Sequence, residues 1–465
     1  MKYFLVGIKG TGLSHLAAYL AKGGNEVEGC DVSEDFFTSE ILKGITVHPL
    51  DAPLPSGVDL IVYSTSYENR MVSAMEEGRK TGVKALSYPQ MLAVLSSSMP
   101  ALAVCGTHGK STTCAAASFL ASSLSLPFGS VYGSFLLGEE KVFHDGDEGL
   151  IIEACEYQDH FMLYDPAVLT VTSIEFDHPD YFEDLDAVKR SFRNRVTSLK
   201  KGAVVVYNTD ISRYVKDWQS ERPDLVFIGY GDRGPFSLSK NADDNWTLTG
   251  VEGSFICHEK NAAIVYDYIA AAVSLSALML YRDNRTVSAS SVAAFLPQML
   301  SSIRDFPGLA ARGEVVKTED GITYIDDYAH HPHEIKVCLD NLRRKYPGRR
   351  IIALFMPHTA SRTRALMKDF VTVLSAFDAL FIQNVYSSAR SDGGNEASLQ
   401  LYKALEKKVF RTFYGRLNSV AYCDSDDEAV MRTASFLIPG DVLVTLGAGD
   451  NRALIDRIAS AGRIS

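Results

Sequence analysis

The chain opens on an apolar run, Tyr3 to Ile8, that breaks into the glycine pattern Gly7-x-x-Gly10-x-Gly12. Leu13, Leu16, Ala17 and Leu20 follow at three- and four-residue spacing, which is one apolar face of a helix. A second run, EVEGCDV, places Asp31 at its end, and a third, VDLIVYSTS, ends in Ser64 and Ser66. Strand, helix and strand in alternation predict a Rossmann-like α/β domain. The small polar stretch from Ser96 to Pro100 reads as its end. A new strand, Ala101 to Cys105, then leads into GTHGKST, with an Ala-rich helix expected from Thr112 to Ser122. GLIIEACE, AVLTVTSIEF and AVVVYN read as further strands of a second α/β domain, ending near Arg304 to Gly308. In the last third, ITYIDDYAHHP, RRIIALFMPH, DALFIQNVY and DVLVTLGAGDN are apolar runs that each end in polar or glycine residues. Ligands of open α/β sheets bind at the carboxyl ends of strands, so these four clusters are expected on one edge.

This pattern predicts an α/β protein of three domains, 1–98, 99–305 and 306–465, and a chain of 465 residues is long enough for them. Apolar residues at 46% and charged residues at 22% fit a globular protein. A net charge of −11 argues against general nucleic-acid binding, which needs a basic face. The seven cysteines form no CxxC pair and are odd in number, the pattern of reduced thiols in a cytoplasmic protein. The N-terminal apolar run is too short for a signal peptide. The longest apolar stretch, Tyr268 to Tyr281, suits a buried helix and falls short of the ~20 residues that span a bilayer. No membrane partner is therefore expected.

GTHGKS is shorter than the usual G-x-x-x-x-G-K-[ST] phosphate loop, because Val104 stands where that pattern has its first glycine. The physical requirements are still met. Gly106 and Gly109 allow a tight turn, a helix N-terminus follows, and Lys110 supplies the cation. Ser111 or Thr112 offers a hydroxyl to Mg²⁺. Glu153 and Glu156 at one strand end, and Asp177 and His178 at the next, are acidic clusters of the kind that holds Mg²⁺ together with phosphate oxygens.

GTHGKS, EACEYQDHF, SIEFDHPDYF, DDYAHHPHEI, PHTASRTR and GAGDN, in this order along nearly the whole chain, resemble the Mur ligases. DDYAHHP is the most specific of them. The resemblance implies a central P-loop ATPase-like domain between an N-terminal and a C-terminal Rossmann-like domain. It implies that Gly7, Gly10, Thr11, Gly12, Asp31, Ser64 and Ser66 lie near a UDP moiety, so the first glycine turn does not signal NAD. It implies that Gly106, Thr107, His108, Gly109, Lys110, Ser111, Thr112, Arg312, Asp326, Asp327 and Tyr328 approach ATP. Ser111, Glu153 and His178 are then the expected Mg²⁺ ligands, and Lys110, Glu153, His178, His330, His358 and Arg362 the expected catalytic set. The last three would line the acceptor cleft.

Within the family, the branch implied joins L-alanine to UDP-N-acetylmuramate in peptidoglycan precursor synthesis, as a monomer or homodimer. The lactyl carboxylate attacks the γ-phosphate of ATP, and the alanine amine then attacks the resulting acyl phosphate. Charge stabilisation by Mg²⁺, Lys110 and arginines would carry much of that barrier lowering. The alternatives are a recycling ligase that joins a peptide to the same sugar nucleotide, and a catalytically impaired nucleotide-binding relative. The latter is motivated by departures from the family: AAIVYDY, Ala262 to Tyr268, replaces a His-Asn-x-x-Asn segment, with Asp267 at the second Asn. Only Arg312 remains of an Arg-Arg-Phe, Thr359 replaces an arginine, and Ser173 an asparagine.

Overall fold

The computed structural model describes the chain except residues 35, 69, 139–141, 143–145, 244, 253, 258, 387–394, 412–416, 448, 450 and 463–465, and it omits the side chains of 409–411. Ala448 and Asp450 of the GAGDN motif thus lie outside the described residues. The rest groups into two compact units, 1–176 with 181–307, and 177–180 with 308–465.

The first unit contains two parallel sheets. β1 (Lys2–Val6), β2 (Glu26–Asp31), β3 (Thr46–Pro49), β4 (Leu60–Tyr63) and β5 (Lys84–Ser87) assemble in the order β3-β2-β1-β4-β5. β6 (Ala101–Cys105), β7 (Phe128–Val131), β8 (Gly149–Glu153), β9 (Val168–Val171), β10 (Val204–Asn208) and β11 (Val226–Tyr230) assemble as β11-β10-β9-β6-β8-β7. Every residue of β6 and β9 is buried, as expected of parallel strands covered on both faces. β1 and β6 lie where their sheets reverse strand order, and the glycine turns follow these two strands. Leu5, Leu16 and Val62 of the first sheet layer share one apolar core with Ala103, Val131 and Ile152 of the second. A small antiparallel sheet, β12 (Leu238–Lys240), β13 (Trp246–Leu248) and β14 (Ser254–Phe255), completes the unit's strands.

The second unit carries β15 (Glu314–Glu319), β16 (Ile322–Asp327), β17 (Ile351–Phe355), β18 (Ala379–Ile382), β19 (Ser419–Tyr422) and β20 (Val442–Leu446) in the order β15-β16-β20-β17-β18-β19. β15 alone runs antiparallel. The four polar clusters predicted to share an edge follow β16, β17, β18 and β20, which are adjacent and parallel. Asn451 stitches this edge together, donating to the carbonyls of Leu354 (3.4 Å) and Leu446 (2.9 Å).

Ser96, Ser97 and Ser98 are the last turn of the helix Tyr88–Ser98, where each hydroxyl turns back onto a carbonyl of the preceding turn. Two details differ from the sequence expectation. β15 escaped notice although its hairpin with β16 has a clear signal, the two-residue turn Asp320-Gly321, whose φ angles are both positive. The apolar stretch at 268–281 belongs to a longer helix, Ala262–Arg282. By length and composition alone that helix is long and apolar enough to cross a membrane. Here 72% of its most apolar window is buried within the protein, against the helix Lys110–Ser123 and strands β9 and β10.

Alanines on both helices, Ala115 to Ala117 and Ala270 to Ala272, are fully buried and permit a close approach. One polar contact crosses this core: Thr170 Oγ1 on β9 and Ser274 Oγ on the long helix lie 2.6 Å apart, both fully buried. Ser274→Ala strands the Thr170 hydroxyl and is expected to cost ~1–3 kcal/mol, read as a lower denaturant midpoint. The double variant Thr170→Val/Ser274→Ala should recover most of that loss, because no orphaned hydroxyl remains.

Candidate active site

The loop after β6 is shaped by its backbone. Gly106 has φ +136° and Gly109 φ +82°, both outside the range that suits a side chain. A methyl group on Gly106 would strike the Thr172 hydroxyl. The segment after β9 holds the loop down. Thr107 N–H donates to the Ser173 carbonyl at 3.1 Å, and His108 N–H to Ser173 Oγ at 2.8 Å. Thr107 Oγ1 donates to the Glu175 carbonyl and accepts from Glu175 N–H at 2.9 Å. His108 Nε2 also lies 3.4 Å from the Glu175 carboxylate. Ser173, a departure from the family pattern, is therefore part of the loop's scaffold.

Lys110 is the first residue of the helix Lys110–Ser123, which starts two residues earlier than predicted and so carries Lys110, Ser111 and Thr112 in its first turn. The Lys110 ammonium folds back onto the loop, 2.5 Å from the Gly106 carbonyl, and pairs with Glu156 at 3.1 Å. Burial by itself would lower the lysine's pKa, but the Glu156 carboxylate overrides burial and raises it, so the charge persists. Glu156 is buried, 2% exposed. Sequence reasoning grouped it with the acidic clusters and missed that it is the lysine's counter-ion.

Ser111 and Glu153 are brought together. Ser111 Oγ donates to Glu153 Oε2 at 2.8 Å, and Gly133 N–H donates to the same oxygen at 2.9 Å. A hydroxyl beside a carboxylate at a phosphate loop is the hard oxygen donor set that Mg²⁺ takes, so these residues fit that ion. Asp267, on the long helix, also reaches the loop: a methyl on Gly109 would lie 2.5 Å from its Oδ1.

The segment Tyr157–Leu163 after Glu156 includes two non-glycine residues with positive φ, Gln158 (+53°) and Asp159 (+55°). The helix Leu185–Thr197 secures it. Ser191 donates to the Asp159 carboxylate, and one turn on, the buried Arg195 guanidinium donates to the carbonyls of Phe161 (3.3 Å) and Met162 (3.4 Å).

At the first glycine turn, Gly7 N–H donates to the Cys30 carbonyl at 2.9 Å, and Gly10 to Thr11 and Gly12 open the helix Thr11–Lys22. Asp31 is occupied by this turn, accepting from Lys9 N–H at 2.6 Å and Tyr67 O–H at 3.0 Å. Ser64 Oγ accepts from Ser66 N–H at 3.4 Å, past the end of β4.

In the second unit, alternation along β16 sends Asp326 and Asp327 to opposite sides. Asp326 accepts from Thr445 Oγ1 at 2.6 Å and Arg452 at 3.3 Å, and Arg452 in turn grips Glu314. Asp327 faces Arg312 and the Cys338 thiol, and burial pushes its pKa up to about 6 against the pull of Arg312. Arg312 stacks over the Tyr328 ring at 5.3 Å. His330, His358 and Arg362 lie together. The two imidazoles lie 5.1 Å apart, and Arg362 Nη1 is 2.9 Å from His358 Nδ1. The same guanidinium clamps Asp177, with Nε at 2.6 Å and Nη2 at 3.1 Å. Burial opposes the charge on Asp177, but Arg362 holds its carboxyl well below the usual range. His178, next to it, sits at φ +53°, a strained conformation of the kind that collects at working sites. Thr359, where the family has an arginine, caps the short helix that carries Arg362.

Comparison with known proteins identifies the family. Residues 2–99 match the model of the Mur ligase family catalytic domain, 104–265 the Mur ligase middle domain, and 311–449 the Mur ligase glutamate ligase domain. The chain is 33% identical to the UDP-N-acetylmuramate–L-alanine ligase of Borreliella burgdorferi, over 97% of both chains. In fold it is similar to a murein peptide ligase from Psychrobacter arcticus (TM-score 0.71, 18% identity, covering 100% of this chain and 99% of that one). It is also similar to the UDP-N-acetylmuramate–alanine ligase of Thermotoga maritima (TM-score 0.69, 19% identity, covering 100% and 99%).

Burial drives the pKa of His330 down to about 4, against the opposing pull of Glu334, so its ring is neutral from about pH 5 upward. Its Cε1 resonance, assigned by loss in His330→Gln, should stay flat between pH 8 and 5.5. A midpoint near 6.5 would contradict the buried, neutral ring.

Proposed function

The chain belongs to the Mur ligase family, and we propose that it joins L-alanine to UDP-N-acetylmuramate at the expense of ATP, through an acyl phosphate. The observation that carries this reading is the loop from Gly106 to Ser111, a backbone-built turn with its lysine buried on Glu156 and its serine on Glu153. The long-range identity to the Borreliella ligase supports the choice of substrates.

In this reading the loop's N–H groups and the first turn of its helix receive the ATP phosphates, and Lys110 neutralises charge as the γ-phosphoryl leaves. Ser111 and Glu153 would hold Mg²⁺, with His178 as a further candidate ligand. When bound, the ion supplies charge stabilisation on the phosphate oxygens. Arg312, Asp326, Asp327 and Tyr328 are proposed on the nucleotide side, and the glycine turn of the first sheet, with Asp31, Ser64 and Ser66, on the UDP side. The amine of alanine must lose a proton before it attacks. His330, whose burial favours the neutral form, is suited to accept it, with His358 and Arg362 beside it.

The purified enzyme is expected to release one phosphate per L-alanine consumed, and only with both UDP-N-acetylmuramate and ATP present. Phosphate release driven by a peptide and not by alanine would favour the recycling activity instead. Lys110→Ala should lower turnover by ~10²–10³-fold or more in a folded protein, the scale of losing one aimed charge. Unchanged turnover would sink the phosphate-loop assignment. His178→Ala should move the Mg²⁺ titration midpoint upward by roughly tenfold, a little over 1 kcal/mol of lost ligation. A titration that superimposes on wild type would refute the ligand role.

A further inference from the structure

Tyr88 opens the helix Tyr88–Ser98, directly after the serine that caps it. Its ring reaches back to the first glycine turn. A methyl group on Gly12 would lie 2.7 Å from Tyr88 Cζ and 2.8 Å from the hydroxyl, so the tip of the phenol lies against the start of the helix Thr11–Lys22. The same hydroxyl is within electrostatic range of Glu153, the carboxylate beside Ser111, and of the buried Tyr164. It makes no hydrogen bond among the described residues, although the side chain is half-buried. Burial and these neighbours push the phenol well above its ordinary pKa, so it remains an O–H donor at any working pH. A half-buried phenol that donates to no protein acceptor keeps its O–H available to a ligand.

Two anion sites flank this hydroxyl on the proposed function, and the inference rests on that reading. The diphosphate of the acceptor belongs at the glycine turn, and the γ-phosphate belongs at Lys110 and Ser111. The reacting carboxylate of the sugar nucleotide has to lie between them. We propose that Tyr88 is a substrate-binding residue whose hydroxyl donates a hydrogen bond to the lactyl carboxylate of the acceptor, holding it toward the phosphate loop. It is a specificity contact for acid-bearing sugar nucleotides, separate from the glycine turn's hold on the diphosphate.

The test is calorimetric binding of UDP-N-acetylmuramate, UDP-N-acetylglucosamine and UDP to the wild-type enzyme and to Tyr88→Phe. The second ligand lacks only the lactyl group. Phenylalanine keeps the packing on Gly12 and removes the donor. The expected result is a roughly tenfold or greater loss of affinity for UDP-N-acetylmuramate, as for a hydrogen bond to a charged group. UDP, UDP-N-acetylglucosamine and the melting temperature should change little. Equal binding of UDP-N-acetylmuramate by both proteins overturns the contact, and so does a parallel loss for all three ligands, which would place the hydroxyl on the diphosphate. Should Tyr88→Phe not fold, Tyr88→His, which keeps a ring and a donor, must retain the wild-type preference for the acid-bearing ligand; loss of that preference overturns the contact. A wild type that ligates alanine while failing these comparisons loses only this contact. A wild type that does not bind UDP-N-acetylmuramate overturns the substrate reading and the contact together.

Discussion

The ion pair between Lys110 and Glu156 is the constraint on which the first unit's site depends. Both groups are mostly removed from water, and neither would be stable there alone: a stranded buried charge costs several kcal/mol. The pair therefore requires precise support on both sides. Lys110 is fixed by the Gly106 and Thr107 carbonyls, and hence by the loop, which is fixed in turn by Thr172 and Ser173. Glu156 is fixed by the segment that follows it, whose strained turn at Gln158 and Asp159 holds because Ser191 and Arg195 grip it from one face of a single helix. Arg195 has no carboxylate partner within salt-bridge distance among the described residues, and burial lowers its pKa. Its charge is spread over backbone carbonyls, which makes it a clamp for that segment.

Parallel sheets explain why so much chemistry gathers in few places. A strand covered on both faces has only its ends to offer. The loop after β6, Glu153 at the end of β8 and Thr172 after β9 stand at the carboxyl ends of adjacent strands. The second unit repeats the arrangement with Asp327 at the end of β16, His358 after β17 and Tyr386 after β18, where the His358 and Tyr386 rings stack at 6.3 Å. In both units the apolar runs set the position of the polar clusters.

What the sequence made legible follows from this. Runs such as Ala101–Cys105 and Ile351–Phe355 are continuous, buried and followed at once by polar motifs, so period and punctuation located them. The phosphate-loop motif was legible because all its parts are consecutive. The partners of those parts were not, because they come from far along the chain: Glu156 is 46 residues from Lys110, and Asp177 is 185 from Arg362. The three serines read as the end of the first domain close a helix there, and their hydroxyls turn back onto carbonyls of its last turn, a contact composition does not show.

The departures from the family pattern acquire physical meaning in the same way. Asn261 caps the long helix, so Ala262 and Ala263 lie in its exposed first turn and offer no polar atom beyond the backbone. Asp267, one turn further in, is half-buried with its carboxylate against Gly109. That places a negative charge at the N-terminal end of the phosphate-loop helix, where the macrodipole stabilises anions. Both electropositive features of the loop are thus balanced by carboxylates, Lys110 by Glu156 and the helix end by Asp267. An incoming polyphosphate meets these two acids as well as the N–H groups, and it must bring countercharge with it. A carboxylate in place of a neutral amide at this position would therefore tie nucleotide binding more tightly to the cation proposed for Ser111 and Glu153.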